Sequence, residues 1–188
     1  MKRNLLLLFL ISFILAGCME KEITKMEVEM FNAAGDSLGT IKVDEVSEGV
    51  ELTVLLEGLP PGEHGLHIHE KGTCKAPDFK SAGNHFNPDE SMHGLLHPEG
   101  AHAGDLPNII AEDGKVDAQL QAPQLTLKSG KKNSLLRVEG TSIVITEGKD
   151  DGMTQPSGDS GARIACGEIT EEEAKREDKK EVTPPEEE

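Results

Sequence analysis

The chain has 188 residues, 35 acidic against 19 basic side chains, a formal net charge of −16, and neither Trp nor Tyr. A surface this acidic repels phosphate backbones and lacks the rings on which bases and sugars stack, so a general nucleic-acid binder is excluded. An apolar share of 36%, to which 20 glycines add, lies in the globular range and excludes disorder along the whole length.

Lys2 and Arg3 precede an apolar run from Leu5 to Leu15, then come Ala16, Gly17 and Cys18. A basic start, a short apolar stretch and small residues form a secretory signal, and the run is too short to span a membrane as a helix. Leu15-Ala16-Gly17-Cys18 resembles the end of a bacterial lipoprotein signal, in which the cysteine becomes the lipidated first residue. That resemblance implies a leader over 1–17, a lipid on Cys18 and a short spacer to residue 25. The domain would then be extracytoplasmic, anchored by lipid to a bacterial cell membrane. If Cys18 carries lipid, Cys74 and Cys166 remain as a pair in an oxidising compartment.

Period-two patterns begin at Met26. Met26, Val28 and Met30 alternate with acids, and Val50, Leu52, Val54 and Leu56 repeat the pattern. Further candidate strands are 38–44, 115–121, 124–128, 134–138, 141–146 and 162–168, with Gly, Pro, Asn or Asp between many of them. Six to eight short strands of this kind predict an all-β antiparallel sandwich or barrel over 26–169. Two stretches, about 70–111 and 147–161, resist strand assignment, and long loops in a compact β-domain are usually functional. Residues 170–188 carry nine acids and four bases with Pro184 and Pro185, which predicts a solvated, disordered tail.

All seven histidines lie between His64 and His102, and imidazoles so clustered point to zinc or copper. On a strand, His67 and His69 share one face and can converge on one ion while Ile68 packs inward. His85, His93, His102 and Asp105 follow at spacings of 8, 9 and 3 residues. Three imidazoles and a carboxylate supply a closed, structural type of zinc site.

At this point the chain resembles the copper/zinc superoxide dismutases. The segments that carry the likeness are Gly65-Leu66-His67-Ile68-His69-Glu70, Asn84-His85-Phe86-Asn87-Pro88 and His93-Gly94. Two more are His102-Ala103-Gly104-Asp105-Leu106-Pro107-Asn108 and Gly161-Ala162-Arg163-Ile164-Ala165-Cys166-Gly167. The resemblance implies an eight-stranded Greek-key barrel, immunoglobulin-like in its packing, with two long functional loops. It implies copper on His67, His69 and His85, and zinc on His85, His93, His102 and Asp105, with His85 shared. It also implies a disulfide between Cys74 and Cys166, Arg163 as the catalytic anion guide, and Asp150 as the carboxylate linking the two metal sites. His64 matches a structural histidine. The implied reaction takes two superoxide anions and two protons to dioxygen and hydrogen peroxide. Oligomeric state does not follow from the resemblance.

One position departs. After the strand Ser142-Ile143-Val144-Ile145 the family carries a fourth copper-ligand histidine, and here that position is Thr146. A neutral hydroxyl is a poor copper ligand, so weak or absent activity is expected. His97 beside Pro98 reads as a loop histidine and not as a substitute. Gly158-Asp159-Ser160-Gly161 resembles a serine-protease nucleophile motif, but the histidines sit in a metal pattern and Ser160 reads as a loop residue. Three classes compete: a dismutase with a modified copper site, a copper-binding or buffering module, and a zinc-stabilised structural domain without catalysis.

Overall fold

The computed structural model describes residues 22–182, with backbone alone over 177–182. The leader, Cys18 and residues 183–188 lie outside the described residues. Alternation becomes strand where expected. In β1 (Lys25–Asn32) Met26, Val28 and Met30 are buried, and in β3 (Gly49–Glu57) Val50, Leu52, Val54 and Leu56 are. Between them runs β2 (Ser37–Val46), paired antiparallel with both. The other long strands are β7 (Lys115–Ala122), β8 (Thr141–Thr146) and β9 (Arg163–Ile169).

Three short strands close the barrel. β4 (Gly62–His64) pairs with β6 (Ile109–Ala111), whereas β5 (Leu66–His69) pairs with β8. The large sheet has the order β5-β8-β9-β1-β2-β3-β7, and all its pairings are antiparallel. Among the described residues nine strands stand where eight were expected, because one run breaks at Gly65. There the chain leaves one partner and takes another, and the Gly65 N–H binds the Gly148 carbonyl at 2.8 Å. A side chain at this corner would collide with Thr146 Oγ1 and His67 Cε1, so only glycine fits.

Two expected strands are absent. Residues 124–128 and 134–138 belong to the long β7–β8 connection and touch through one isolated bridge, Thr126 with Ser134. Their alternation serves a different end: Leu125, Leu127, Leu135 and Leu136 turn inward and join the core from a loop. The carboxylate of Glu45, 9% exposed, secures this connection. It accepts from the Leu127 N–H at 2.6 Å and the Thr126 hydroxyl at 2.8 Å, and pairs with Lys128 at 3.2 Å. Burial pushes the Glu45 carboxyl up, but these partners outweigh it and hold it below its ordinary value of 4.5. A depressed carboxylate stabilises the fold fully above that ordinary value, and the contribution fades as pH falls through the lower folded-state value. Glu45→Gln is therefore expected to cost about 1–2 kcal/mol in the metal-free chain at pH 7. Urea melts at a series of pH values check it: the gap to the parent must close as pH drops towards 3.

The expected disordered tail is corrected over its described part, where α1 (Glu171–Val182) forms. Thr170 Oγ1 accepts the Glu173 N–H at 3.2 Å, and three glutamates occupy the first turn, where the helix dipole favours them. Ion pairs Glu171–Lys175 and Glu172–Arg176 run along the helix, and Ala174 is buried in the main core. The Thr-Glu-Glu-Glu start was a capping signal that acidic composition masked. Within the expected loop 70–111 the structure adds β6 and a short 3-10 turn, Lys80–Ala82.

Candidate metal centre

β5 carries the first ligands. Leu66 and Ile68 enter the barrel core, so period two sends His67 and His69 to the opposite face, outside the barrel. Two pieces of the 70–108 loop are stitched back onto β5. The Ile68 N–H donates to Gly104 O and the Phe86 N–H to Ile68 O, each at 2.8 Å. Isolated bridges pair His69 with His85 and His67 with Asp105. Gly104 is required for this approach, since a Cβ there would lie 2.3 Å from the Ile68 carbonyl oxygen.

The result is two clusters that share one residue. Ligand atoms of His67, His69 and His85 lie within 4.8 Å of one another, as do those of His85, His93, His102 and Asp105. The hydrogen bonds decide which ring nitrogens face the metals. His67 Nε2 donates to Asp150 Oδ2 at 2.7 Å, His93 Nε2 to Asp150 Oδ1 at 3.2 Å, and His69 Nδ1 to Gly83 O at 3.0 Å. Buried and without a hydrogen-bond partner are His67 Nδ1, His69 Nε2, His93 Nδ1 and His102 Nδ1. Those of His93 and His102 face the Asp105 carboxylate at 3.1 and 3.4 Å in one cluster, those of His67 and His69 lie in the other, and buried nitrogens orphaned in this way are costly unless something binds them. The residues therefore fit two metal ions.

Electrostatics agree. Burial, aided by the neighbouring His85 and Arg163, pushes the His69 imidazole down to about 2. Burial also takes His85 down to about 4 against the raising effect of Asp105. Both rings are neutral at pH 7, the form that binds metal. Burial raises Asp105, but the nearby imidazoles of His102 and His85 and the Gly94 N–H outweigh it and hold the carboxyl far below the usual range. Asp150 is likewise held down to about 2 against burial, by His67 and the Gly152 N–H.

A cavity of about 470 Å³ opens beside His69, His85 and Thr146, with Arg163 on its wall. Arg163 donates through Nη1 to Phe79 O at 2.8 Å and through Nη2 to Gly83 O at 2.7 Å. Cys74 and Cys166 form a disulfide with Cα atoms 5.8 Å apart, next to Phe79. Thr146 lines the cavity, and its hydroxyl is aimed between Gly148 O at 3.1 Å and Gly65 O at 3.3 Å.

The remaining candidates fall outside both clusters. His64 is buried with its ring nitrogens at Thr146 O and Pro60 O, and His97 Nδ1 accepts the Glu99 N–H. The Ser160 hydroxyl donates to Ser157 O. Sequence reasoning gave no role to Asn108 or Gln155, whose side-chain amides join the two long loops. No local signal marks such pairings, which cross 42 and 62 residues.

A barrel of this topology, with two histidine clusters sharing one imidazole and an arginine at the cavity wall, carries the donors for two adjacent metal ions. The model of the family "Copper/zinc superoxide dismutase" matches residues 37–169. Superoxide dismutase [Cu-Zn] 2 of Aquifex aeolicus is 49% identical over 147 residues, 77% of this chain and 86% of that one. The superoxide dismutase-like protein YojM of Bacillus subtilis is 41% identical over 189 residues, 90% of this chain and 96% of that one. A crystal structure of a superoxide dismutase-like protein from Bacillus subtilis superposes with a TM-score of 0.74 at 44% identity, covering 76% of this chain and 97% of that one. This chain belongs to the copper/zinc superoxide dismutase family, whose members use copper and zinc. Its disulfide and bacterial relatives fit an extracytoplasmic protein.

Proposed function

We propose that the chain is a lipid-anchored, extracytoplasmic family member with a complete zinc site and an incomplete copper site. Its dismutation of superoxide is slow or absent. The observation that carries this reading is Thr146: it stands at the cavity beside the copper cluster and its hydroxyl is spent on main-chain carbonyls. His67, His69 and His85 would hold copper, and His85, His93, His102 and Asp105 would hold zinc. The leader over 1–17, followed directly by Cys18, supports the lipid anchor.

Copper, when bound, supplies the one-electron chemistry that takes one superoxide to dioxygen and another to peroxide. The protein's own part is positional. Asp150 takes the Nε2 protons of His67 and His93 as hydrogen bonds, which leaves each Nδ1 lone pair for a metal. Gly83 O fixes His69 in the opposite tautomer, leaving Nε2. The guanidinium of Arg163, pinned by two carbonyls, sets a local positive field in the cavity although the chain is anionic overall.

A second reading, a copper-holding module with little turnover, is favoured by the intact and buried trio His67, His69 and His85. Metal content and superoxide disproportionation per bound copper, measured on the zinc- and copper-loaded chain, test both. Tight zinc, loosely held copper and turnover near background are expected. Fast turnover by the parent would overturn the proposal, and zinc alone with no copper uptake would leave the structural-domain reading.

A further inference from the structure

The second loop, 147–161, grips the metal-binding loop through side-chain amides. Gln155 Oε1 accepts the His93 N–H at 2.9 Å, and Gln155 Nε2 donates to the His93 carbonyl at 2.8 Å. Asn108 answers from the other loop. Its Nδ2 donates to the Asp150 carbonyl at 2.8 Å, and its Oδ1 accepts the Asp150 N–H at 2.9 Å. Each amide therefore holds both main-chain groups of one residue, and the two residues held are bonded to each other through His93 Nε2 and Asp150 Oδ1.

The backbones come together around this link. A Cβ on Gly94 would lie 2.1 Å from Gly152 O, and one on Gly158 would lie 1.9 Å from Asp150 Oδ1 and 2.9 Å from His93 Nε2. The Leu96 N–H also reaches Gly152 O at 3.1 Å. A reciprocal amide pair constrains direction as well as distance, because neither bond can be kept while the held peptide turns. His93 is fully buried, and its Nδ1 is one of the orphaned nitrogens.

We propose that Gln155 is a positioning residue for metal binding: by clamping the His93 backbone from the opposite loop, it aims His93 Nδ1 at the zinc position. This rests on the reading of His85, His93, His102 and Asp105 as a zinc site. Gln155 touches neither metal nor substrate and acts through the ligand. Partners that orient a metal ligand typically change affinity about 10- to 100-fold when removed.

The test uses the full chain and two substitutions. Gln155→Met keeps length and volume without donor or acceptor, and Gln155→Asn keeps the amide but draws it back by one methylene. Three readouts are compared with the parent: zinc affinity by chelator competition, the visible bands of the cobalt-loaded chain, and the urea midpoint of the metal-free chain. Zinc affinity should fall about 10- to 100-fold in Gln155→Met, and the cobalt bands should shift. A lowered metal-free midpoint with parental zinc affinity and cobalt bands would make Gln155 a loop staple only and overturn the proposal. Should Gln155→Met not fold, Gln155→Asn decides on the same two metal readouts. A parent that takes up no zinc removes the underlying zinc reading, and this proposal with it, before any variant is made.

Discussion

Thr146→His is expected to raise copper(II) affinity by more than about 100-fold, since even residues that only orient a ligand are worth about 10- to 100-fold. The substitution adds an imidazole beside a trio that already has two buried nitrogens without partners. Space is available, because Thr146 borders the open cavity, and the register shift between Ile145 and Thr146 sets residue 146 off from the regular ladder. What is lost is one weak hydroxyl contact to Gly65 O or Gly148 O, which costs about 1 kcal/mol or less. Superoxide turnover per bound copper should rise with affinity, and the copper(II) spectrum should report one more nitrogen donor. Equal turnover and equal spectra in parent and variant would mean that copper finds its fourth donor elsewhere. His97 would be the first residue to replace, although its Nδ1 is committed to the Glu99 N–H.

Zinc should have the larger effect on stability. Four donors on the loop from His85 to Asp105 lie together, and the hydrogen bonds around them leave two ring nitrogens unused. Asp105 Oδ2 takes the N–H groups of Gly94 and His102, while His93 Nδ1 and His102 Nδ1 have no hydrogen-bond partner. Binding that favours the folded state adds stability by mass action, about 4 kcal/mol when free zinc exceeds its dissociation constant 1,000-fold. For a domain of this size that corresponds to a rise of about 8–16 °C in Tm. Differential scanning calorimetry of the metal-free chain with and without zinc checks this. Asp105→Ala removes a ligand and the acceptor of two backbone N–H groups, and should abolish most of the zinc-dependent rise. A variant that keeps the full rise would place zinc elsewhere.

Much of the candidate site was legible in the sequence. His67 and His69 two apart on an alternating run must share a face, and His85, His93, His102 and Asp105 are close enough in sequence to fold around one ion. The structure brings these residues together, with Asp150 hydrogen-bonded to His67 and Arg163 on the cavity wall. Strands whose alternation feeds one core, such as 26–30 and 50–56, were equally plain. The same alternation misled at 124–128 and 134–138, because leucines that plug a barrel end from a loop repeat like leucines on a strand. Composition misled at the tail, where a Thr170 cap and one buried alanine suffice to seat a helix of otherwise solvated residues.

The sequence by itself determined which atoms are available: seven imidazoles in one stretch, a carboxylate three residues after His102, and a threonine after Ile145. It determined strands such as β1 and β3 too, because period two is a local property of the chain. Only the tertiary structure decided how those atoms are aimed. Asp150 selects the tautomers of His67 and His93, Gly83 that of His69, and Gln155 holds His93 from 62 residues away. Hydrogen-bond direction depends on groups that meet through the fold, and no short-range pattern in the chain encodes such meetings.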